Sequence, residues 1–155
     1  MTVRKAHPGD AETIRDLINL AFRIEKFFVD GDRISLAEVR SHFDTGEFLV
    51  ASAGNGAPPA GCAYIERSGE RAYLGLLSVD PAYQRAGLGA QLAAAAEQRC
   101  RDLGCRFMDL HIVNLRAELG PYYRRLGYLE TGTEPFPADV PTRLPCHFVK
   151  MSKPL

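Results

Sequence analysis

The sequence predicts one mixed α/β domain, and three observations carry that prediction. Apolar runs at residues 48–52, 61–67 and 71–79 follow one another with short connections, the pattern of an antiparallel meander. A strand-like run, a long helical pattern and another strand-like run then fill residues 73–113, which implies a parallel pair joined by a right-handed crossover. A length of 155 residues suits a single domain, 1–155, with one full hydrophobic core.

In chain order, residues 3–6 read as a short first strand. The stretch from His7 to Asp10 is a turn, and Asp10 is expected to cap the helix that follows. Ile14, Leu17, Ile18, Ala21 and Phe22 recur at helical spacing, which carries the helix to about Ile24. Asp30, Gly31 and Asp32 form a turn signal. Ser35 is expected to cap a second helix that turns Leu36, Val39 and Phe43 inward and stops at Gly46. The loop 54–60, with Pro58 and Pro59, is excluded from the sheet. After the meander comes a central helix over about 87–103, with Leu88, Leu92, Ala96 and Leu103 on its buried face and Gly104 just past its end.

Residues 106–113 form the next strand. Met108, Leu110 and Ile112 share one side of it, and Phe107, Asp109 and His111 the other. Residues 114–128 read as a loop and a short helix ending at Gly127. A strand over 129–133 follows. Pro135, Pro137, Pro141 and Pro145 make 134–145 a long loop, and residues 146–152 alternate as a last strand.

Composition narrows the function. A formal net charge of zero argues against nucleic-acid binding by bulk electrostatics. No apolar run approaches the roughly 20 residues that cross a bilayer. The first eight residues carry no apolar signal core, so a cytoplasmic protein is expected. Cys62, Cys100, Cys105 and Cys146 contain no Cys-x-x-Cys and read as free thiols. His7, His42, His111 and His147 are scattered, so no metal site is expected.

The informative stretch lies where the strand 73–79 ends at Asp80 and Pro81. Gln84, Gly87 and Gly89 follow, and the central helix begins. The first backbone N–H groups of a helix have no partner within it, and the helix dipole favours negative charge there. Glycine leaves room for a bulky anion. No Gly-Lys-Ser/Thr closes the turn, so it is not a P-loop. Leu92 stands where a dinucleotide fingerprint needs its third glycine.

Gln84-Arg85-Ala86-Gly87-Leu88-Gly89, preceded by Ser78-Val79-Asp80-Pro81, resembles the acyl-CoA diphosphate loop of the GNAT acetyltransferase family. Asn114, Tyr123 and Leu126-Gly127-Tyr128 form a second match, with Tyr123 at the family's usual five residues before Tyr128. The element order resembles that family over essentially the whole chain.

The resemblance implies a GNAT fold: a mostly antiparallel sheet with a splayed parallel strand pair and helices on both faces. It also implies an acetyl-CoA-dependent N-acetyltransferase in which an amine attacks the thioester directly. Gln84, Arg85, Ala86, Gly87, Leu88, Gly89 and Ala90 would hold the diphosphate of coenzyme A. Backbone groups of Leu77 and Val79 would pair with the pantetheine amides as an added strand would. Asn114 would contact the pantetheine arm, although it reads equally as a helix cap. Tyr123 would contact the cofactor and serve as general acid to the leaving thiolate.

The general base is less legible. Glu25, just past the first helix, is the first candidate, with Glu66, Asp109 and His111 as alternatives. Residues 25–47 hold six acidic and three basic side chains, an excess expected to suit a cationic amine. The acceptor is a small-molecule or peptide amine. Oligomeric state stays open, with homodimers common in the family. The alternative reading is an acyl-CoA-binding sensor of the same fold that has lost catalysis.

Overall fold

Seven strands make one sheet in the order β1-β2-β3-β4-β5-β7-β6, in a computed structural model that describes residues 1–155. β1 (Thr2–Lys5), β2 (Glu47–Ser52), β3 (Pro59–Ser68) and β4 (Arg71–Val79) pair antiparallel in succession. β5 (Phe107–Val113) runs parallel to β4, and β7 (His147–Pro154) sits antiparallel between β5 and β6 (Leu129–Pro135). β3 begins two residues earlier than the sequence suggests, so Pro59 lies at a strand start, where a missing N–H is tolerated.

The helices cover both faces. α1 (Ala11–Ala21) and α2 (Leu36–Thr45) pack on one face around Ile14, Ile18, Val39, Phe48 and Tyr64. α3 (Leu88–Asp102) and α4 (Leu119–Arg125) lie on the other, where Leu88, Leu92 and Ala96 meet Met108, Leu110 and Ile112. Buried Glu97 of α3 accepts from the Tyr128 hydroxyl at 2.9 Å and from Lys153 Nζ at 2.8 Å. Lys153 also reaches the Leu126 carbonyl at 2.7 Å, so one network ties α3 and the end of α4 to β7. No helix is long and apolar enough to cross a membrane.

Two caps turned out differently from each other. Ser35 caps α2 in a reciprocal box with Glu38, as its position predicts. Asp10 makes no side-chain cap to α1. Its carboxylate turns back to accept from the His7 N–H and from Arg4, which closes the 3-10 turn Pro8–Asp10 instead. A guanidinium outcompetes a helical N–H for that acceptor because its hydrogen bonds are charge-assisted.

The parallel seam is the feature that shapes the molecule. Only Arg71–Phe107, Ala72–Met108 and Tyr73–Asp109 are paired between β4 and β5. Beyond Tyr73, β4 takes an extra residue: Tyr64 lies opposite Gly75, yet Cys62 lies opposite Ser78. Leu76 adopts φ 53°, in the left-handed region, within this bulge. A bulge bends its strand and strengthens the local twist, so β4 departs from β5 and a wedge opens between them.

A side-chain latch holds the closed end of the wedge. Arg71 donates to both oxygens of Asp109, at 2.7 and 2.6 Å, and to Ser152 Oγ at 3.1 Å, while its guanidinium covers the Phe107 ring at 4.6 Å. Arg71→Ala should lower Tm by about 2–4 °C at neutral pH. Arg71 holds the Asp109 carboxyl below the usual carboxylate range. The latch therefore contributes fully above the unfolded-state value and fades as pH falls through the lowered folded one. The gap between wild type and variant should narrow in acid, as thermal melts across pH would report.

Candidate active site

The wedge opens into a cleft of about 1110 Å³ that passes from the α3–α4 side of the sheet to the α1–α2 side. At one end stands the start of α3. Gly87 occupies its N-cap at φ 79°, a conformation that favours glycine, and no side chain caps the helix. The first helical bond runs from the Gln91 N–H to the Gly87 carbonyl at 3.1 Å. The N–H groups of Leu88, Gly89 and Ala90 thus have no protein partner, as at any uncapped start. Gln84, Arg85, Gly87, Leu88, Gly89 and Ala90 all border the cleft. Leu88 turns its side chain into the core, so it offers only its backbone. Ala86 is exposed and lies outside the lining.

Leu77 and Val79 border the middle of the cleft along β4. The Val79 carbonyl accepts from the Gln84 side-chain amide at 3.3 Å, so a pantetheine N–H would share that oxygen with Gln84.

Tyr123 projects from α4 toward the same space and is 8% exposed. Its ring is wedged edge-on between Tyr122 and Tyr128. Burial pushes its hydroxyl well above the usual tyrosine range, so it is a proton carrier at neutral pH. Tyr122 also borders the cleft, and its hydroxyl lies over Gly89, where a Cβ would meet it at 2.8 Å.

Asn114 stands elsewhere. Its side-chain carbonyl accepts from the His147 N–H at 2.8 Å, and its own N–H donates to the His147 carbonyl at 3.0 Å. It neither borders the cleft nor caps α4, whose N-cap is Glu118. A side-chain amide that can pin the edge of β7 is held there by two hydrogen bonds.

Among the candidate bases, Glu25 is in the cleft and paired with Arg116 at 3.1 Å, while Arg116 also grips Glu118 at 2.5 Å. Burial raises the Glu25 carboxyl, and Arg116 opposes that rise. Glu66 is outside the cleft, engaged by the Tyr64 hydroxyl at 2.5 Å. Asp109 is outside it too, held in the Arg71 latch. His111 borders the cleft directly.

Four of the six acidic residues in 25–47, Glu25, Asp30, Asp32 and Glu38, border the cleft. Glu47 pairs with Arg99 and Lys5 on the far side, and Asp30 pairs with Arg143. Arg23, Lys26, Arg33 and Arg116 line the cleft beside Glu25, Asp30, Asp32 and Glu38, so the acidic charge is offset there.

The mouth on the α1–α2 side is roofed. Val29 forms an antiparallel bridge with Thr142, and the Arg143 N–H donates to the Phe28 carbonyl at 2.8 Å. The segment after α1 and the long loop before β7 are thereby joined over the cleft. Sequence reasoning named these two segments but not their junction, since nothing local in either one signals a partner more than a hundred residues away.

The model of the Acetyltransferase (GNAT) family matches residues 12–128 of the chain. No curated protein sequence matches it. Among solved structures, nourseothricin acetyltransferase is 21% identical with a TM-score of 0.76, over 99% of this chain and 97% of that one. The ribosomal-protein-S18-alanine N-acetyltransferase from Escherichia coli is 20% identical, TM-score 0.76, over 99% of this chain and 92% of that one. The ribosomal-protein-alanine N-acetyltransferase from Brucella melitensis is 18% identical, TM-score 0.79, with all of each chain covered. At these identities the likeness speaks for the shared fold.

Proposed function

The chain belongs to the GNAT acetyltransferase family, and from that premise we propose that it transfers an acetyl group from acetyl-CoA to a primary amine by direct attack in a ternary complex. The observation that carries this reading is the uncapped start of α3 opening onto the wedge between β4 and β5. Bare N–H groups at a helix start suit a diphosphate. The facing edges of two diverging strands suit an extended arm with amides of its own. Gln84, Arg85, Gly87, Gly89 and Ala90 would receive the diphosphate, and Leu77 and Val79 the arm.

The thioester would then arrive beside Tyr123. As the C–S bond breaks, the sulfur takes up the electron pair and the Tyr123 hydroxyl supplies a proton to it. Burial makes a tyrosinate costly there, but it makes a desolvated thiolate costly in the same place, so the two values rise together and the transfer stays feasible. No cysteine borders the cleft to offer a competing covalent route, and the buried Cys62 thiol is pushed up to about 12 by desolvation. Glu25, held by Arg116, would line the acceptor end and take part in seating the ammonium group.

The test is CoA release from acetyl-CoA over polyamines, amino acids, aminoglycosides and peptide N-termini. Turnover with at least one amine class is expected. Tight CoA binding with no turnover on any amine would favour the sensor reading. Stabilisation by NAD but not by acetyl-CoA would overturn acyl transfer altogether.

A further inference from the structure

Below the roof, the charges that border the cleft do not all find partners within the protein. Arg116 takes Glu25 through Oε2, Arg143 takes Asp30, and Glu38 accepts from the Ser35 N–H to close the cap of α2. Arg23, Lys26 and Arg33 border the same space without an ion pair, and Asp32 is the carboxylate left to answer them.

Arg33 stands apart from the other two because it is held in place. Asn19 of α1 grips the next residue at both backbone groups, donating to the Ile34 carbonyl and accepting from the Ile34 N–H, each at 3.0 Å. The Arg33 guanidinium lies over the Phe22 ring, 5.3 Å from its centroid. Backbone and guanidinium are both steadied from α1 and its end, while the planar fork of donors has no hydrogen-bond partner in the protein. Asn19, Phe22 and Arg33 all border the cleft.

The Arg33 charge also reaches across the mouth. It favours the ionised forms of Glu25 and Tyr73 and the neutral form of His111. Tyr73 and His111 mark the narrow end of the wedge. Tyr73 is the last β4 residue paired across the seam, and its hydroxyl lies 3.2 Å from His111 Nε2. Glu134 on β6 stands behind the imidazole, 3.2 Å from Nδ1. Arg33 therefore overlooks both Glu25 and the point where the wedge meets the mouth.

We propose that the acceptor is a free amino acid, its carboxylate received by Arg33 and its ammonium group set beside Glu25. The proposal rests on the acetyl-transfer reading and names the class of amine that this reading leaves open.

Three features support it. A guanidinium fork matches a carboxylate in bidentate geometry, and a fork already oriented loses little freedom on binding. Arg116 occupies only Oε2 of Glu25, which leaves Oε1 for an ammonium group. Burial raises the Glu25 carboxyl, and Arg116 and Arg33 both act against that rise. An amino acid carries one charge of each sign close together, and the mouth offers one of each sign in return. Finally, the competing classes fit less well. A polyamine or aminoglycoside would bring several positive charges to Arg23, Lys26 and Arg33. A peptide N-terminus carries no carboxylate near its amine and would leave Arg33 unanswered beneath the Val29–Thr142 bridge.

The test is steady-state CoA release by the full-length protein with the standard amino acids, each set against its own carboxamide. Spermidine, kanamycin and an alanine-terminated peptide complete the panel. The carboxamide is the less basic amine and the more available nucleophile at neutral pH, so a preference for the carboxylate reports binding. At least one amino acid should exceed its carboxamide in kcat/KM by about tenfold or more. Arg33→Gln should erase that preference by raising KM, with kcat within about threefold, because the contact is made equally in ground and transition states. Arg33→Lys keeps the charge but loses the fork, and should retain part of the preference. Acetyl-CoA affinity by calorimetry should stay level in both variants, which shows that they fold. A wild type that prefers the carboxamides, spermidine, kanamycin or the peptide would overturn the proposal and leave acetyl transfer standing. A carboxylate preference undiminished in Arg33→Gln would do the same. A wild type that releases CoA with no amine of the panel would overturn acetyl transfer itself, and the proposal with it.

Discussion

Tyr123→Phe should lower turnover by about a hundredfold or more while leaving acetyl-CoA affinity within about twofold. The substitution removes one oxygen from a ring that is otherwise held by Tyr122 and Tyr128. That oxygen faces the cleft, and no buried polar side-chain atom in the protein lacks a partner, so its removal strands nothing inside the fold. Packing should survive, and the loss should fall on kcat. Steady-state CoA release and calorimetry on the same preparation separate the two quantities. Unchanged turnover would remove Tyr123 from the chemistry.

Ala90→Asp should weaken acetyl-CoA binding by about tenfold or more, equivalent to about 1.4 kcal/mol, without destabilising the free protein. Ala90 is the third residue of α3 and borders the cleft. A carboxylate there satisfies the helix dipole, worth about 0.3–1 kcal/mol in favour of the fold. The same charge would face an incoming diphosphate. A thermal melt without ligand should therefore stay level or rise slightly, while the upward shift on adding acetyl-CoA shrinks. A variant that melts lower and still responds fully to acetyl-CoA would move the diphosphate away from this helix.

The glycine turn that borders the cleft was legible because its information is local. A strand end, two glycines and a helix start lie within a dozen consecutive residues, and local spacing is what a sequence displays. The place of Tyr123 on a short helix beside the cleft was legible for the same reason, counted back from Gly127. The meander and the crossover followed from periodicity alone.

What could not be read depends on distance along the chain. Tyr73 and His111 are 38 residues apart and meet only because the crossover lays β5 beside β4. Glu134 adds a third strand, brought close by β7. Gly75 was the available hint of the bulge, since glycine inside a strand often marks one. Asp10 was misassigned because Arg4, on a neighbouring strand, competes for its carboxylate. The acidity of residues 25–47 told only part of the story: Glu25, Asp30, Asp32 and Glu38 border the cleft beside Arg23, Lys26, Arg33 and Arg116, while Glu47 meets Arg99, 52 positions later, on another face.

The three-rung seam has a mechanical side. Strands β1–β4 form one raft and β5–β7 another, and between them the strands share only the rungs from Arg71 to Tyr73, with the Glu70 carbonyl just before them accepting from the Arg106 and Phe107 N–H groups. Such a joint would act as a hinge, with the Arg71–Asp109 pair at its pivot and the wide end of the wedge out along the lever. A small tilt at the pivot becomes a larger change in the gap at the far end. The breadth of acyl group that fits would thus be governed from a place that no substrate touches.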